Sequence, residues 1–307
     1  MPELPEVETV RRGLQRLLPG LKITEVTHDT PKSFPNAPAD VANFMIGATV
    51  TEVRRRAKVL LIELDTKYSL VIHLKMTGQL VYIAESVDRP GHPAEPGEEG
   101  RFGAGHPNAS LIGALPDRST RVVCSFAGGA HLYFNDQRKF GWVRLVPTAE
   151  VPMIDFMQRV GPEPLSDEFT WEVMRDRLQR RKNTNIKAAL LDQSVLAGVG
   201  NIYADESLWG AKIHPTTLVR NISDDQIRLL HKALRDVLQL SIDKGGSSDR
   251  HYVDAEGKRG SYLTFANVFR REGQPCPRCG TIIEKSRVAG RGTHTCRQCQ
   301  PLTKNSL

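Results

Sequence analysis

Four cysteines near the carboxyl end constrain this chain most tightly. They read Cys276-Pro-Arg-Cys279, then sixteen residues, then Cys296-Arg-Gln-Cys299, with Cys124 left over. Two C-x2-C pairs across a short spacer suit four thiolates around a tetrahedral zinc ion. The amino terminus lacks the basic-then-apolar pattern of a secretion signal, so paired cysteines point to metal before disulfide. A closed four-sulfur site leaves no open coordination position. The expected cofactor is therefore one structural zinc ion holding a small finger, not a metal that activates water.

The same end is basic. The 307 residues carry a net charge of +7, and residues 250–299 hold ten Lys or Arg against four Asp or Glu, a local +6. Such an end suits a polyanion, nucleic acid foremost, although a solvated basic surface would have the same composition. No apolar run reaches the length of a membrane span, so a cytoplasmic setting is expected.

Ahead of the finger the pattern divides in two. Val7, Val10, Leu14, Leu17 and Leu18 recur at helical spacing and are stopped by Pro19-Gly20. From 21 to about 147 alternating and β-branched runs predict strands at 22–26, 49–53, 59–64, 69–74, 79–83, 121–126, 131–134 and 142–146, with one short helix near 39–46. Hairpin-linked strands of this kind predict an antiparallel sandwich or barrel. Residues 85–118, with five prolines and six glycines, break the rhythm and predict a long mobile loop. After Pro147 the pattern becomes helical. Ser166 can cap a helix through about Arg181, and Ser223 with Gln226 forms a capping box for a helix ending near Gly245-Gly246. Between them, helical segments 186–191 and 202–209 flank Ala197-Gly-Val-Gly-Asn201, where glycine-permitted turns would offer bare N–H groups to a phosphate.

The chain opens Met1-Pro-Glu-Leu-Pro-Glu-Val-Glu8. Removal of Met1 would expose the secondary amine of Pro2. An α-amino group has a pKa of about 8, so much of it is an uncharged nucleophile near neutrality. Glu3 beside it could carry protons. Prolines and acids also suit the first turn of a helix, and these eight residues alone fit that plainer role as well.

Together with Arg54-Arg-Arg-Ala-Lys58, His73-Leu-Lys-Met-Thr-Gly78, Arg138-Lys-Phe-Gly141, Gly161-Pro-Glu-Pro-Leu165, Gly198-Val-Gly-Asn-Ile-Tyr203 and the four-cysteine finger, the opening resembles the formamidopyrimidine-DNA glycosylase family across nearly the whole chain. The resemblance implies an α+β protein. An N-terminal antiparallel β-sandwich with an N-terminal helix (1–147) would precede a helical helix–two-turn–helix domain (148–246). A lesion-recognition loop and connector (247–270) would lead to a C-terminal zinc-finger β-hairpin (271–307). It implies a bifunctional DNA glycosylase and AP lyase acting on double-stranded DNA that contains oxidised purines or abasic sites, as a monomer with no obligate protein partner.

Residue roles implied by the resemblance are these. Pro2 would be the nucleophile and Glu3 the proton carrier, with Glu6 and Glu206 as supporting acids. Lys58 would contact DNA phosphate and assist proton transfer, and Arg291 of the finger would hold phosphate near the lesion. Met76, Arg138 and Phe140 would fill the space left by a flipped base, Arg138 facing the widowed cytosine. Lys182, Lys187 and Asn201 would meet the DNA backbone. Two departures stand out: Arg138-Lys139 where many members carry two arginines, and Ser119 where relatives often have histidine. A phosphate contact there would be absent, or supplied by Arg118 or Arg121. Rival readings are a same-fold enzyme for oxidised pyrimidines, a non-catalytic zinc-finger protein that binds damaged DNA, and an RNA-binding zinc ribbon.

Overall fold

The structure is a computed structural model and describes residues 2–85, 100–106, 108–247 and 262–302. These fall into two compact units, residues 1–158 with 244–261 and residues 159–243 with 262–307.

The first unit is a β-sandwich fronted by a helix. Helix α1 (Leu4–Leu17) starts where Pro5 pre-sets the first turn, and it buries Leu4, Val7, Val10 and Leu14. One sheet has the order β1-β7-β8-β5-β6, with β1 Ile23–His28, β5 Gly78–Ile83, β6 Arg101–Gly105, β7 Thr120–Phe126 and β8 His131–Asp136. The other has the order β2-β3-β4-β9, with β2 Val50–Arg56, β3 Val59–Leu64, β4 Tyr68–His73 and β9 Trp142–Pro147. Every pairing is antiparallel. A short helix α2 (Pro38–Phe44) lies between β1 and β2. Alternate side chains of both sheets meet in one apolar core with the buried face of α1. Arg55 of β2 donates to Glu8 of α1 at 3.1 Å, and the backbone N–H of Val53 donates to the Gln15 side chain at 2.6 Å, so the helix is stapled to a strand edge.

The expectation of a loop throughout 85–118 is corrected. Residues 101–105 are the edge strand β6, paired with β5 from Gln79↔Gly105 to Ile83↔Arg101, and Ala109–Leu111 form a 3-10 turn. The Phe102 ring is buried against Gly13 of α1. The remainder of that expectation, at 86–99 and Pro107, lies outside the described residues.

The second unit is helical. After two short helices, α3 (Asp155–Arg159, which straddles the division) and α4 (Trp171–Gln179), come α5 (Ile186–Leu191), α6 (Asn201–Gly210) and α7 (Asp224–Asp243). Helix α4 is capped by Thr170, whose hydroxyl accepts from Val173 N, so the expected Ser166 cap is also corrected. Ser166 instead closes a turn with Phe169, whose buried ring belongs to the core. The Ser223–Gln226 box is present, at 3.0 and 3.3 Å. The four-residue helix α8 (Tyr262–Phe265) precedes the finger hairpin of β10 (Glu284–Val288) and β11 (Arg291–Thr295). Among the described residues no helix is long and apolar enough to cross a membrane.

If β6 belongs to the core, truncating its central ring should behave as a core deletion. Phe102→Ala is expected to cost about 3–5 kcal/mol of stability, measurable as a lowered midpoint in urea unfolding.

Candidate active site and nucleic-acid interface

Pro2 and Glu3 are buried just ahead of α1. Glu3 is the N-cap of that helix, and its side chain accepts the N–H of Glu6 while Glu6 Oε2 accepts the N–H of Glu3 at 2.8 Å. The other oxygen of Glu6 reaches far along the chain: Oε1 accepts both the N–H and the hydroxyl of Ser247, each at 2.7 Å. Ser247 is the first residue of the segment expected to recognise the lesion, and residues 248–261 of that segment lie outside the described residues. The acids of the opening octapeptide thus both start the helix and fix the chain end that carries Pro2.

Three expected site residues share one backbone device. Lys58, Met76 and Phe140 each follow a non-glycine residue in the left-handed region: Ala57 at φ 52°, Lys75 at 51° and Lys139 at 57°. Such residues are uncommon and cost local strain, which the surroundings must offset. Ala57-Lys58 is the two-residue loop between Arg56 and Val59. Lys58 is buried, close enough to His73 on the neighbouring strand for its charge to act there. His73 is buried too, and its pKa is pushed down to about 3, first by burial and then by the positive charges of Lys75 and Lys58. Its Nδ1 accepts the N–H of Lys75 at 3.0 Å, a bond that needs the neutral ring.

Met76 is half-buried, while Arg138 and Phe140 are exposed. Phe140 is 46 % accessible, too open for a core ring, with the Arg138 guanidinium 4.8 Å from its centroid and the Lys32 ammonium 5.8 Å away. An apolar ring held among cations suits insertion into a polyanion's base stack.

In the second unit, Lys187 corrects an expectation. It is completely buried, and its ammonium donates to Asp205 Oδ1 at 2.6 Å, Thr293 Oγ1 at 2.7 Å and the Gly292 carbonyl at 3.1 Å. Three acceptors saturate it, so it does not face a DNA phosphate; it docks the finger hairpin onto α5 and α6. Asn201 Nδ2 donates to the same Gly292 carbonyl at 2.9 Å. Arg291, next to Gly292, is exposed beyond the Ala289-Gly290 loop, where both residues have positive φ. Lys182 is exposed. Glu206 is buried and accepts four N–H bonds from Asn267, Val268 and Phe269 at 2.8–3.0 Å, fixing the segment that enters the finger.

Ser119 is likewise corrected. It is buried, bonded to Asp117 at 2.7 Å through both its N–H and hydroxyl and to the Ser110 hydroxyl at 3.0 Å, so it offers nothing to a phosphate. Arg121 is also committed, to Asp29 at 2.7 Å and to the carbonyls of Asp136 and Arg118. Arg118 is the exposed cation of the three.

The sulfurs of Cys276, Cys279, Cys296 and Cys299 all lie within 4.8 Å of one another. Zinc–sulfur bonds of about 2.3 Å place tetrahedral sulfurs about 3.8 Å apart, so the donor set fits one zinc ion. Trp209 of α6 donates its indole N–H to Cys276 at 3.4 Å, and Arg278 stacks on that indole and donates to the Trp209 carbonyl at 3.0 Å. These bonds orient a ligand and seat the finger on the helix. Sequence reasoning missed Asp205, Trp209 and Asp136 (below), because each works through a partner distant in the chain.

Three family models match in chain order. They are the formamidopyrimidine-DNA glycosylase N-terminal domain over 1–143, the H2TH domain of the same enzymes over 160–252, and the zinc finger found in FPG and IleRS over 273–302. A formamidopyrimidine-DNA glycosylase of Pelotomaculum thermopropionicum is 40% identical over 98% of this chain and 99% of its own length. Among solved structures, the Lactococcus lactis Fpg in complex with DNA containing an abasic site has a TM-score of 0.82 and 33% identity, covering 98% of this chain and 100% of that one. The same figures hold for the wild-type L. lactis protein with DNA containing N7-benzyl-Fapy-dG.

Two outcomes are expected here. Purified protein should hold one zinc per chain by elemental mass spectrometry, and chelation should open residues 273–302 to protease while the sandwich stays resistant. His73 should stay neutral through the neutral range. Its folded pKa lies below the ordinary 6.5, so the unfolded chain takes up the proton first as pH falls. The stability it contributes is present above about pH 6.5 and is lost toward pH 3, by up to about 1.4 kcal/mol per pH unit. Urea unfolding of wild type and His73→Asn between pH 7 and 4.5 should show the shallower decline in the variant.

Proposed function

Because the chain belongs to the formamidopyrimidine-DNA glycosylase family, we propose that it excises oxidised purines from duplex DNA and then cleaves the abasic strand. The observation that carries this reading is the reciprocal Glu3–Glu6 cap, extended to Ser247, which holds the end bearing Pro2.

The sequence of events follows from the groups available. A base in a duplex is out of reach until its nucleotide is extruded. Met76, Arg138 and Phe140 take its place, and Arg138 donates to the partner cytosine. The Pro2 amine, freed by loss of Met1, attacks C1′ of the sugar. The bond to the base breaks, and the base leaves with a proton. Glu3 transfers protons as the sugar ring opens to a cationic iminium. That cation acidifies the C2′ proton; its removal expels the 3′ phosphate, and a second elimination expels the 5′ phosphate. Lys58 contacts phosphate and assists proton transfer. Exposed Arg291 and Lys182, with Asn201 at the start of α6, hold the backbone, and Arg118 supplies the contact that Ser119 does not. Zinc, when bound, supplies no chemistry beyond keeping the hairpin folded. The enzyme acts as a cytoplasmic monomer, associated with the nucleoid through DNA alone.

Borohydride reduction should trap a covalent complex with a duplex carrying 8-oxoguanine opposite cytosine, and peptide mass mapping should place the link on the nitrogen of residue 2. An undamaged duplex should give none. Glu3→Gln should slow excision by about 10²- to 10⁴-fold. A protein free of Met1 and loaded with zinc that binds the lesion without crosslinking or cutting would instead be a non-catalytic binder.

A further inference from the structure

Two turns carry the three residues proposed to replace the flipped base, and one buried side chain joins them. Asp136 ends β8 and is completely inaccessible. Its Oδ2 accepts the N–H of Phe140 at 2.8 Å and of Gly141 at 2.7 Å. Its Oδ1 accepts the hydroxyl of Thr77 and, at 3.2 Å, the N–H of Arg138. Thr77 Oγ1 in turn accepts the Arg138 N–H at 3.1 Å. One carboxylate therefore ties the 74–78 turn, which presents Met76, to the 137–141 turn, which presents Arg138 and Phe140.

The backbone at this junction leaves little slack. Lys75 and Lys139, one in each turn, are the left-handed residues described above. Gly78 closes the first turn by donating to the Leu74 carbonyl at 2.8 Å, and a Cβ there would lie 2.3 Å from that oxygen. At Gly141 a Cβ would lie 2.7 Å from the Phe134 ring and 2.9 Å from the His73 carbonyl. Both turns are thus strained, closed by glycines that admit no side chain, and satisfied internally by the same acid. A carboxylate bonded to backbone N–H groups is among the stronger neutral-donor arrangements, and it is stronger still away from water.

We propose that Asp136 is a positioning residue for base extrusion: it locks Met76, Arg138 and Phe140 into one preformed wedge before DNA arrives. This rests on the function proposed above and adds a role that neither turn could perform alone. A wedge assembled only on binding would have to order two exposed turns at the cost of DNA affinity. A preformed one spends its contacts on unstacking the base pair. Asp136 touches no DNA in this scheme, and the Pro2 chemistry proceeds without it once the sugar is accessible.

The test separates extrusion from chemistry. Wild type, Asp136→Ala, Asp136→Asn and Thr77→Val are compared on three substrates. These are a duplex with 8-oxoguanine opposite cytosine, the same duplex with adenine opposite, and a single-stranded oligonucleotide with a preformed abasic site, where no partner base must be replaced. Borohydride trapping of wild type on the single strand first checks the proposed function by itself. Asp136→Ala is then expected to slow excision from the cytosine duplex by tenfold or more and to reduce the preference for cytosine over adenine. Cleavage of the single strand should stay within about twofold, since no void is filled there. Asp136→Asn keeps an acceptor for one turn and should fall between. Thr77→Val removes the bridge between turns without touching the carboxylate and should show the same substrate pattern more weakly. A 2-aminopurine opposite the lesion should brighten on wild-type binding and less on Asp136→Ala. Variants matching wild type on both duplexes, or losing single-strand cleavage in the same proportion as duplex excision, would overturn the proposal.

Discussion

The carboxylate of Glu6 joins two parts of the chain that are 241 residues apart. One oxygen closes the first turn of α1 and so holds Glu3 and Pro2; the other takes both donors of Ser247. An amine can be a useful nucleophile only if it is held still, and a chain terminus is ordinarily the most mobile part of a domain. Here the segment bearing Pro2 is pinned from within by the capping box and by Ser247, the first residue of the segment expected to meet the damaged base. The end proposed to carry the nucleophile and the segment expected to recognise the lesion thus share an anchor.

The same economy recurs. Asp136 gathers four donors for two turns, Glu206 four for the approach to the finger, and Asp205 accepts from Lys187 and from the N–H of His294 at 2.9 Å. Burying a charge is costly unless hydrogen bonds compensate it. Asp136 and Glu206 are compensated mainly by backbone N–H donors from loops, and Asp205 by the ammonium of Lys187 on α5 and an N–H of the finger hairpin. Loops built to meet DNA cannot be held by a hydrophobic core, because the residues that bind must face outward. Buried carboxylates do that work instead.

Much of this was legible in the sequence because it is local. Strands with β-branched alternation, such as 59–64, appear at their expected limits, and so does the helix 186–191. The cysteine spacing is borne out by four clustered sulfurs. Strand β6 was not legible: Arg101-Phe-Gly-Ala-Gly105 has two glycines and no β-branched residue, and only pairing with β5 and the packing of Phe102 make it a strand. The resemblance implies a DNA-backbone role for Lys187, and its actual partners, Asp205 and Thr293, lie 18 and 106 residues away, beyond the reach of a local pattern. Ser119 sits where relatives offer a contact, yet its hydroxyl is consumed by Asp117. For β6 and Lys187 a partner distant in the chain decided the outcome, whereas Ser119 is held by an acid two residues away. Asp136 carried a faint signal, an acid closing a strand just before a turn, but its link to the other turn is through Thr77, 59 residues away and far beyond the reach of local rules.

Burial of acids also bears on the field the protein presents. The chain has 42 Lys and Arg against 35 Asp and Glu, a modest excess for a ligand with a charge on every phosphate. Glu3, Glu6, Asp136, Asp205 and Glu206 are all buried. Their positive counterparts are mostly backbone N–H groups, whose dipoles offset a carboxylate without using a side-chain cation. Arg138, Lys139, Lys182 and Arg291 stay exposed and unburdened by these acids. A given net charge therefore acts as a larger one at the surface that matters, because the acids needed to hold the binding loops are turned away from the polyanion those loops are built to meet.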